Sequence, residues 1–219
     1  MAEAQPLQLS ERRTFTYRVC AGIVFGLAKL LFRPTVVGAE NIPMDGPVII
    51  APIHRSNVDF ALTLFMSRRK AFFMAKDSLF RVPLLGALIG HLGAFPVHRG
   101  SADRGSMTHS EEVLRQGHAL VLFPEGTRQE GLAVAPLHDG AMFVAARTGA
   151  KVVPVGIGGS DRAMPKGAKL PRPSKVRIVV GKPINPASSE GRVTRSALSA
   201  KSEELRAALQ DVYHQSLQG

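Results

Sequence analysis

The sequence predicts an α/β protein, a single domain in which a central mixed, largely parallel sheet is flanked by helices. Two observations predict it. Short strand-like runs alternate with helical stretches along the chain, and most of those runs are continuously apolar, as strands buried on both faces are. The 219 residues can enclose a sizeable core, and 45% hydrophobic with 21% charged residues excludes a wholly disordered, collagenous or acidic solvating chain. Cys20 is the only cysteine and no Cys/His cluster has zinc spacing, so neither an internal disulfide nor a structural metal is expected.

Taken in order, the chain opens with a polar stretch holding Glu11, Arg12 and Arg13, then an apolar run over 19–31 interrupted by Lys29. A membrane span needs about 20 apolar residues, so this run fits a buried or interfacial helix instead. Acids precede the basic residues and the run ends in Phe32-Arg33-Pro34, which argues against a cleaved signal peptide. An apolar strand is expected at 48–53 and a helix at 59–68; a strand at 71–75 precedes a helix at 83–92. Strands at 94–97 and 119–123 bracket a helix at 106–116, and a helix at 140–148 leads to a strand at 152–157. Residues 160–173 carry Pro, Gly and Lys without periodicity and read as a surface loop. A strand at 176–180 follows, then a helix at 196–217 with Leu205, Ala208, Leu209 and Val212 at helical spacing. Three segments result: an N-terminal membrane-associating helical piece (1–37), a main domain (38–190) and a C-terminal helix packed on or beside it (191–219).

Charge narrows the partners. With 28 Lys and Arg against 17 Asp and Glu, the net charge is +11, which attracts nucleic acid, anionic lipid head groups or phosphorylated substrates alike. Aromatic residues are only 6% and Trp is absent, which weakens any base-stacking platform. Lipid gains ground over nucleic acid, though composition alone does not choose between them. From Arg162 to Lys182 there are seven Lys or Arg and no acid.

The first chemical segment follows the first strong strand: Ile53-His54-Arg55-Ser56-Asn57-Val58-Asp59-Phe60. On one continuous helix, residues five apart project about 140° from each other, so His54 and Asp59 can meet only if His54 lies on the loop and Asp59 in the first helical turn. A carboxylate on one ring nitrogen would fix the tautomer and leave the other nitrogen to take a proton from a hydroxyl. The alternative is a capping box, with Ser56 capping a helix that begins near Asn57 and His54 a loop histidine.

A second constellation is Leu122-Phe123-Pro124-Glu125-Gly126-Thr127-Arg128, where an apolar strand ends abruptly in a turn. Strand ends in α/β sheets commonly hold ligands, glycine admits close approach, threonine offers a hydroxyl and arginine a planar fork suited to phosphate. A tight turn with a solvated Arg128 is the alternative. Arg99 stands just past the strand at 94–97.

In this order the segments resemble the glycerolipid acyltransferase family, in particular bacterial 1-acyl-glycerol-3-phosphate acyltransferases. The family's H-x-x-x-x-D block is matched by His54 and Asp59, its apolar-x-R block by Val97-His98-Arg99, its F-P-E-G-T-R block by Phe123 to Arg128, and its apolar-P-apolar block by Val153-Pro154-Val155. The stretch Ala75-Lys76, Phe80, Pro83, Leu84, Gly86 and Gly93 is also similar, and the likeness runs over about residues 40–185. His98 stands where the family often has an acid, and Ile53 where Asn is commoner.

The resemblance implies acyl transfer from acyl-CoA or acyl-carrier protein, as co-substrate, to a hydroxyl of glycerol phosphate or lysophosphatidate in phospholipid synthesis. His54, oriented by Asp59, is the expected base. No acyl-enzyme is expected, because no G-x-S-x-G elbow occurs. Arg99 and Arg128 are expected on the acceptor phosphate, Gly126 and Thr127 as close contacts, Glu125 to orient the arginines or the glycerol, and Lys76 as a further phosphate ligand. No metal or other cofactor is expected, and no nucleic acid as a partner. The run 19–32, the stretch 84–92 and Arg68, Arg69, Lys70 and Arg81 are expected to dock monotopically on anionic lipid at the cytoplasmic face of the cell membrane. A phospholipid transacylase, or a non-catalytic anionic-lipid or nucleic-acid binding protein, are the other readings.

Overall fold

The computed structural model describes residues 14–97, 104–187 and 193–218. Helix α1 (Phe15–Phe32) starts where the Thr14 hydroxyl accepts the Tyr17 N–H at 3.2 Å and stops at Arg33, which turns left-handed before Pro34. A short edge strand, β1 (Thr35–Val37), and a 3-10 turn, Ala39–Asn41, lead to β2 (Val48–Pro52), all five of whose residues are buried. The chain continues through α2 (Asp59–Met66), β3 (Ala71–Lys76), α3 (Asp77–Phe80), α4 (Pro83–His91), β4 (Ala94–Val97), α5 (Arg104–Arg115) and β5 (Ala119–Val121). It closes with α6 (Gly140–Thr148), β6 (Lys151–Gly158), α7 (Ser160–Ala163), β7 (Arg177–Val180) and α8 (Arg195–Leu217).

The seven strands form one sheet in the order β1-β7-β6-β2-β5-β3-β4. Neighbours are parallel except β6 and β7, so five strands run together and the β1-β7 pair opposes them. The sheet is therefore mixed and largely parallel, as the continuous apolar runs foretold. Register aligns its start: Val48 of β2 pairs with Ala119 of β5 and Lys151 of β6, and Ala71 of β3 pairs with Ala119. The segments that leave the far ends of β2, β3 and β5 emerge on one side, where open α/β sheets hold ligands.

Several short elements escape sequence patterning. β1 has three residues, α3 four, and α7 is a four-residue turn inside the stretch expected to be loop. Three or four residues give no measurable period.

Helix α8 lies on β6 and β7, its Thr194 hydroxyl accepting the Ala197 N–H at 3.2 Å and its Leu205 and Leu209 fully buried. Two glycines make this seat. A Cβ on Gly156 would collide with the Val212 carbonyl, and one on Gly158 with that of Ser216. Helix α1 packs on α2, Phe25 stacking on Phe65 with ring centroids 4.1 Å apart.

Candidate active site

β2 delivers a strand-to-helix connection whose residues, Asn57 apart, stay buried after the strand ends. His54 and Arg55 are each 3% exposed, and Asp59 is fully buried. The connection folds back, so that Asp59 Oδ2 lies 3.0 Å from His54 Nδ1 and also accepts the backbone N–H groups of Arg55 (2.8 Å) and Ser56 (2.7 Å). Three contacts on one oxygen hold the carboxylate aimed. With Nδ1–H directed at Asp59, Nε2 is the ring nitrogen left for proton transfer. The imidazole is braced by Phe123 at 4.3 Å and Phe60 at 5.6 Å between ring centroids.

The capping alternative is half present. Asp59 reaches back to the Ser56 N–H as a capping-box acid does, but the Ser56 hydroxyl donates to the Met164 carbonyl at 2.8 Å, and α2 begins at Asp59 instead of Asn57. Capping and orienting the histidine are one arrangement here.

Below His54 sits a buried ion pair that sequence reading missed. Arg55 Nη1 donates to both carboxylate oxygens of Glu125 at 2.9 Å, and Nη2 donates to the Ala133 carbonyl at 3.1 Å. Glu125 Oε2 also accepts the His54 backbone N–H at 2.9 Å, and Oε1 the Ala135 N–H at 3.3 Å. Glu125, expected to touch the glycerol or the phosphate-binding arginines, is instead only 2% exposed and clasps Arg55. The available signal was Arg55 itself, a charge two positions beyond the apolar run 48–53, which needs a partner to be buried.

α8 closes this layer. The Arg55 guanidinium lies over the Tyr213 ring, 5.0 Å from its centroid, and burial raises the Tyr213 phenol above its ordinary pKa while Arg55 pulls the other way. Gln210 accepts the Val134 N–H at 2.8 Å and donates to the Leu132 carbonyl at 2.9 Å, so α8 pins the loop that clasps Arg55 and Glu125.

The turn after β5 is fixed by geometry. Gly126 has φ +70, and a Cβ there would press against the His138 ring, whose Cδ2 would lie 2.8 Å away. Gln129 N–H donates to the His54 carbonyl at 2.9 Å, which ties this turn to the β2 connection. Thr127 is exposed, its hydroxyl accepting from Gln129 Nε2 at 3.0 Å.

A groove of about 1450 Å³ opens beside the imidazole. His54, Lys76 and Arg128 all line it, Lys76 from the end of β3 and Arg128 from the turn after β5. Apolar walls come from Phe25 on α1, Leu64 on α2, and Leu85, Leu88 and Ile89 on α4. Gly126, Thr127 and Glu125 are not among its walls. Arg99 and His98 lie outside the described residues. Among the described residues no group of three or more His, Cys, Asp or Glu is placed to hold a metal ion.

A largely parallel α/β sheet with a carboxylate-oriented histidine at its strand ends, beside a cationic and apolar groove, defines a class of acyl-transfer proteins. The chain belongs to the Acyltransferase family, whose model matches residues 33–158. It is 27% identical over 197 residues to a 1-acyl-sn-glycerol-3-phosphate acyltransferase of Bacillus subtilis, covering 90% of this chain and 96% of that one. It is 33% identical over 179 residues to one of Chlamydomonas reinhardtii, covering 80% of this chain but 53% of the relative. Against chloroplastic relatives of Arabidopsis thaliana and Brassica napus, too, it spans about half their length, 46% and 45%. The crystal structure of the 1-acyl-sn-glycerophosphate (LPA) acyltransferase PlsC from Thermotoga maritima superposes with a TM-score of 0.73 at 26% identity, covering 94% of this chain and 84% of that one.

Proposed function

We propose that this protein transfers a fatty acyl group from an acyl thioester, acyl-CoA or acyl-carrier protein, to the free hydroxyl of 1-acyl-sn-glycerol-3-phosphate. The observation that carries the reading is the His54–Asp59 pair at 3.0 Å, on the wall of a groove that also holds Lys76 and Arg128. The names of the relatives support the acceptor.

In this reading His54 Nε2 takes the proton of the acceptor hydroxyl as its oxygen attacks the thioester carbonyl carbon. The C–S bond then breaks, the imidazolium returns the proton to the departing thiolate, and the ester oxygen stays on the glycerol. Asp59 remains ionised and stabilises the imidazolium. Lys76 and Arg128 hold the acceptor phosphate as charge-assisted donors, with Arg99 expected to join them. Glu125 acts through Arg55 and the His54 backbone, as a positioning residue. The apolar walls from α1, α2 and α4 take the acyl chain, which has no stable place in water. No metal is needed for any step of this mechanism.

Membrane association belongs to the same reading, with the cytoplasmic face as the site of synthesis. α1 spans about 27 Å at 1.5 Å per residue and only 17% of it is buried, yet it packs on α2 through Phe25, so it lies along the protein instead of standing free of it.

The test is labelled palmitoyl-CoA offered with 1-acyl-sn-glycerol-3-phosphate, glycerol 3-phosphate, other lyso-lipids, or no acceptor but intact phospholipid. Label appearing at the free hydroxyl of the first acceptor, and vanishing with His54→Ala, is expected. Preference for glycerol 3-phosphate, or acyl transfer from intact phospholipid without thioester, would overturn the reading.

A further inference from the structure

The segment between α7 and β7 has no role in the chemistry above, yet it is the most strongly cationic stretch of the chain. Its exposed residues include Lys166, Lys169, Arg172 and Lys175, and Leu170 stands among them 77% exposed, followed by the exposed Pro171 and Pro173. The fold leaves this large aliphatic side chain unburied among cations, and a surface that is anionic outside and apolar beneath would bury it.

The segment is anchored at both ends. Near its start the Met164 carbonyl accepts from the Ser56 hydroxyl at 2.8 Å, beside the Asp59 carboxylate, and the Arg172 N–H returns to the Ala163 carbonyl at 2.7 Å. At its end the Ser174 and Val176 N–H groups donate to the Leu31 and Phe32 carbonyls, both at 3.0 Å. The loop thus runs from the site to the C-terminal end of α1.

What α1 presents there decides the partner. Phe15, Val19, Ile23, Leu27 and Leu30 are 83%, 44%, 58%, 56% and 74% exposed, and their spacing of four, four, four and three puts them on one stripe. Tyr17, Ala21, Val24 and Phe25, which line the groove, point to the other side of the helix. The outward stripe ends at the exposed Lys29 and Arg33, next to Ser174 and Lys175. An apolar stripe that ends in a cationic collar matches the layering of an anionic leaflet, acyl chains beneath and phosphates above.

We infer that residues 166–175 form a second membrane contact, a basic loop with Leu170 at its tip, that docks on anionic bilayer beside α1. The inference rests on the membrane-lipid reading above for its purpose, but its test reads binding and not turnover. An acidic protein surface would meet the cations equally well but gives no place to Leu170 or to the adjoining stripe.

The test uses the full chain and two kinds of vesicle, phosphatidylcholine alone and phosphatidylcholine with about 30% phosphatidylglycerol. Lys169→Gln, Arg172→Gln and Lys175→Gln are combined; Lys166 is kept because it pairs with Glu130 at 3.2 Å. Each lost charge near an anionic leaflet weakens binding on the order of fivefold, so the triple variant is expected to need at least about tenfold more mixed lipid for half-saturation. On neutral vesicles it should differ little from the parent. Raising salt from about 0.1 M to about 1 M, which shortens the Debye length from about 10 Å to about 3 Å, should abolish most of the difference. Leu170→Ser should weaken binding to both vesicles.

Turnover of detergent-dispersed substrate should be unchanged in all these variants, which shows that they fold. His54→Ala should bind vesicles as the parent does. A triple variant that binds mixed vesicles like the parent overturns the inference. So does one that keeps vesicle binding but loses only the use of acyl-carrier protein as donor. If vesicle binding behaves as expected while no variant, nor the parent, transfers acyl groups, the functional reading fails and the membrane contact stands.

Discussion

Arg55 Nη1 lies 2.9 Å from both carboxylate oxygens of Glu125, and the same carboxylate accepts the His54 N–H. The buried pair is thus a bracket for the histidine proposed as the base. Removing one member of such a pair leaves a buried charge unpaired, at a cost of about 3–5 kcal/mol. Glu125→Ala is therefore expected to lower the unfolding free energy by about that amount and to cut kcat by about tenfold or more. Denaturant unfolding alongside steady-state kinetics checks both. Arg55→Met combined with Glu125→Leu should recover the part of the stability lost to the unpaired charge but not the kcat, since the His54 N–H still lacks its acceptor.

His54→Ala is expected to lower kcat by about 10²- to 10⁴-fold, the usual contribution of a positioned base, with little change in thermal stability. Asp59→Ala should lose both, because the Arg55 and Ser56 N–H groups would be left buried without an acceptor, at about 1–3 kcal/mol each. Comparing the melting temperatures of the two variants separates a chemical residue from one that also holds the loop.

Lys76→Ala and Arg128→Ala are expected to raise KM for a phosphorylated acceptor by about 10- to 100-fold, the worth of a hydrogen bond to a charged group, with a smaller effect on kcat. An acceptor lacking the phosphate should respond to neither. Equal losses on both acceptors would show that these cations support the groove and do not bind phosphate.

Gly126→Ala is expected to destabilise through two separable causes. A left-handed backbone at φ +70 costs about 1–2 kcal/mol for a residue with Cβ, and the added methyl meets the His138 ring. Pairing the change with His138→Ala should relieve the second cause and leave the first, which a double-mutant cycle in denaturant would read directly.

Much of the fold was legible because its strands are buried on both faces and so read as unbroken apolar runs. Val48–Pro52 is the clearest case, and the helix at Gly140–Thr148 has the bounds its pattern gives. The meeting of His54 and Asp59 was legible only as a condition: the five-residue spacing forbids one helix face, so the two could meet only if the chain turned back between them. Glu125 was located but misassigned to the substrate side, because nothing local reveals that its partner is Arg55, 70 residues away and buried. Tyr213 and Gln210 were read only as part of an amphipathic helix. Their contacts with Arg55 and residues 132–134 depend on how α8 crosses the sheet, and Gly156 and Gly158 set that crossing without leaving a periodic mark.

The reach of α8 into the site also orders events during synthesis. Tyr213 follows His54 by 159 residues, so the nascent chain holds Arg55 and Glu125 long before the ring that covers the Arg55 guanidinium has been made. The layer around Arg55 is therefore completed only when the last helix of the described chain has been made and packs onto β6 and β7.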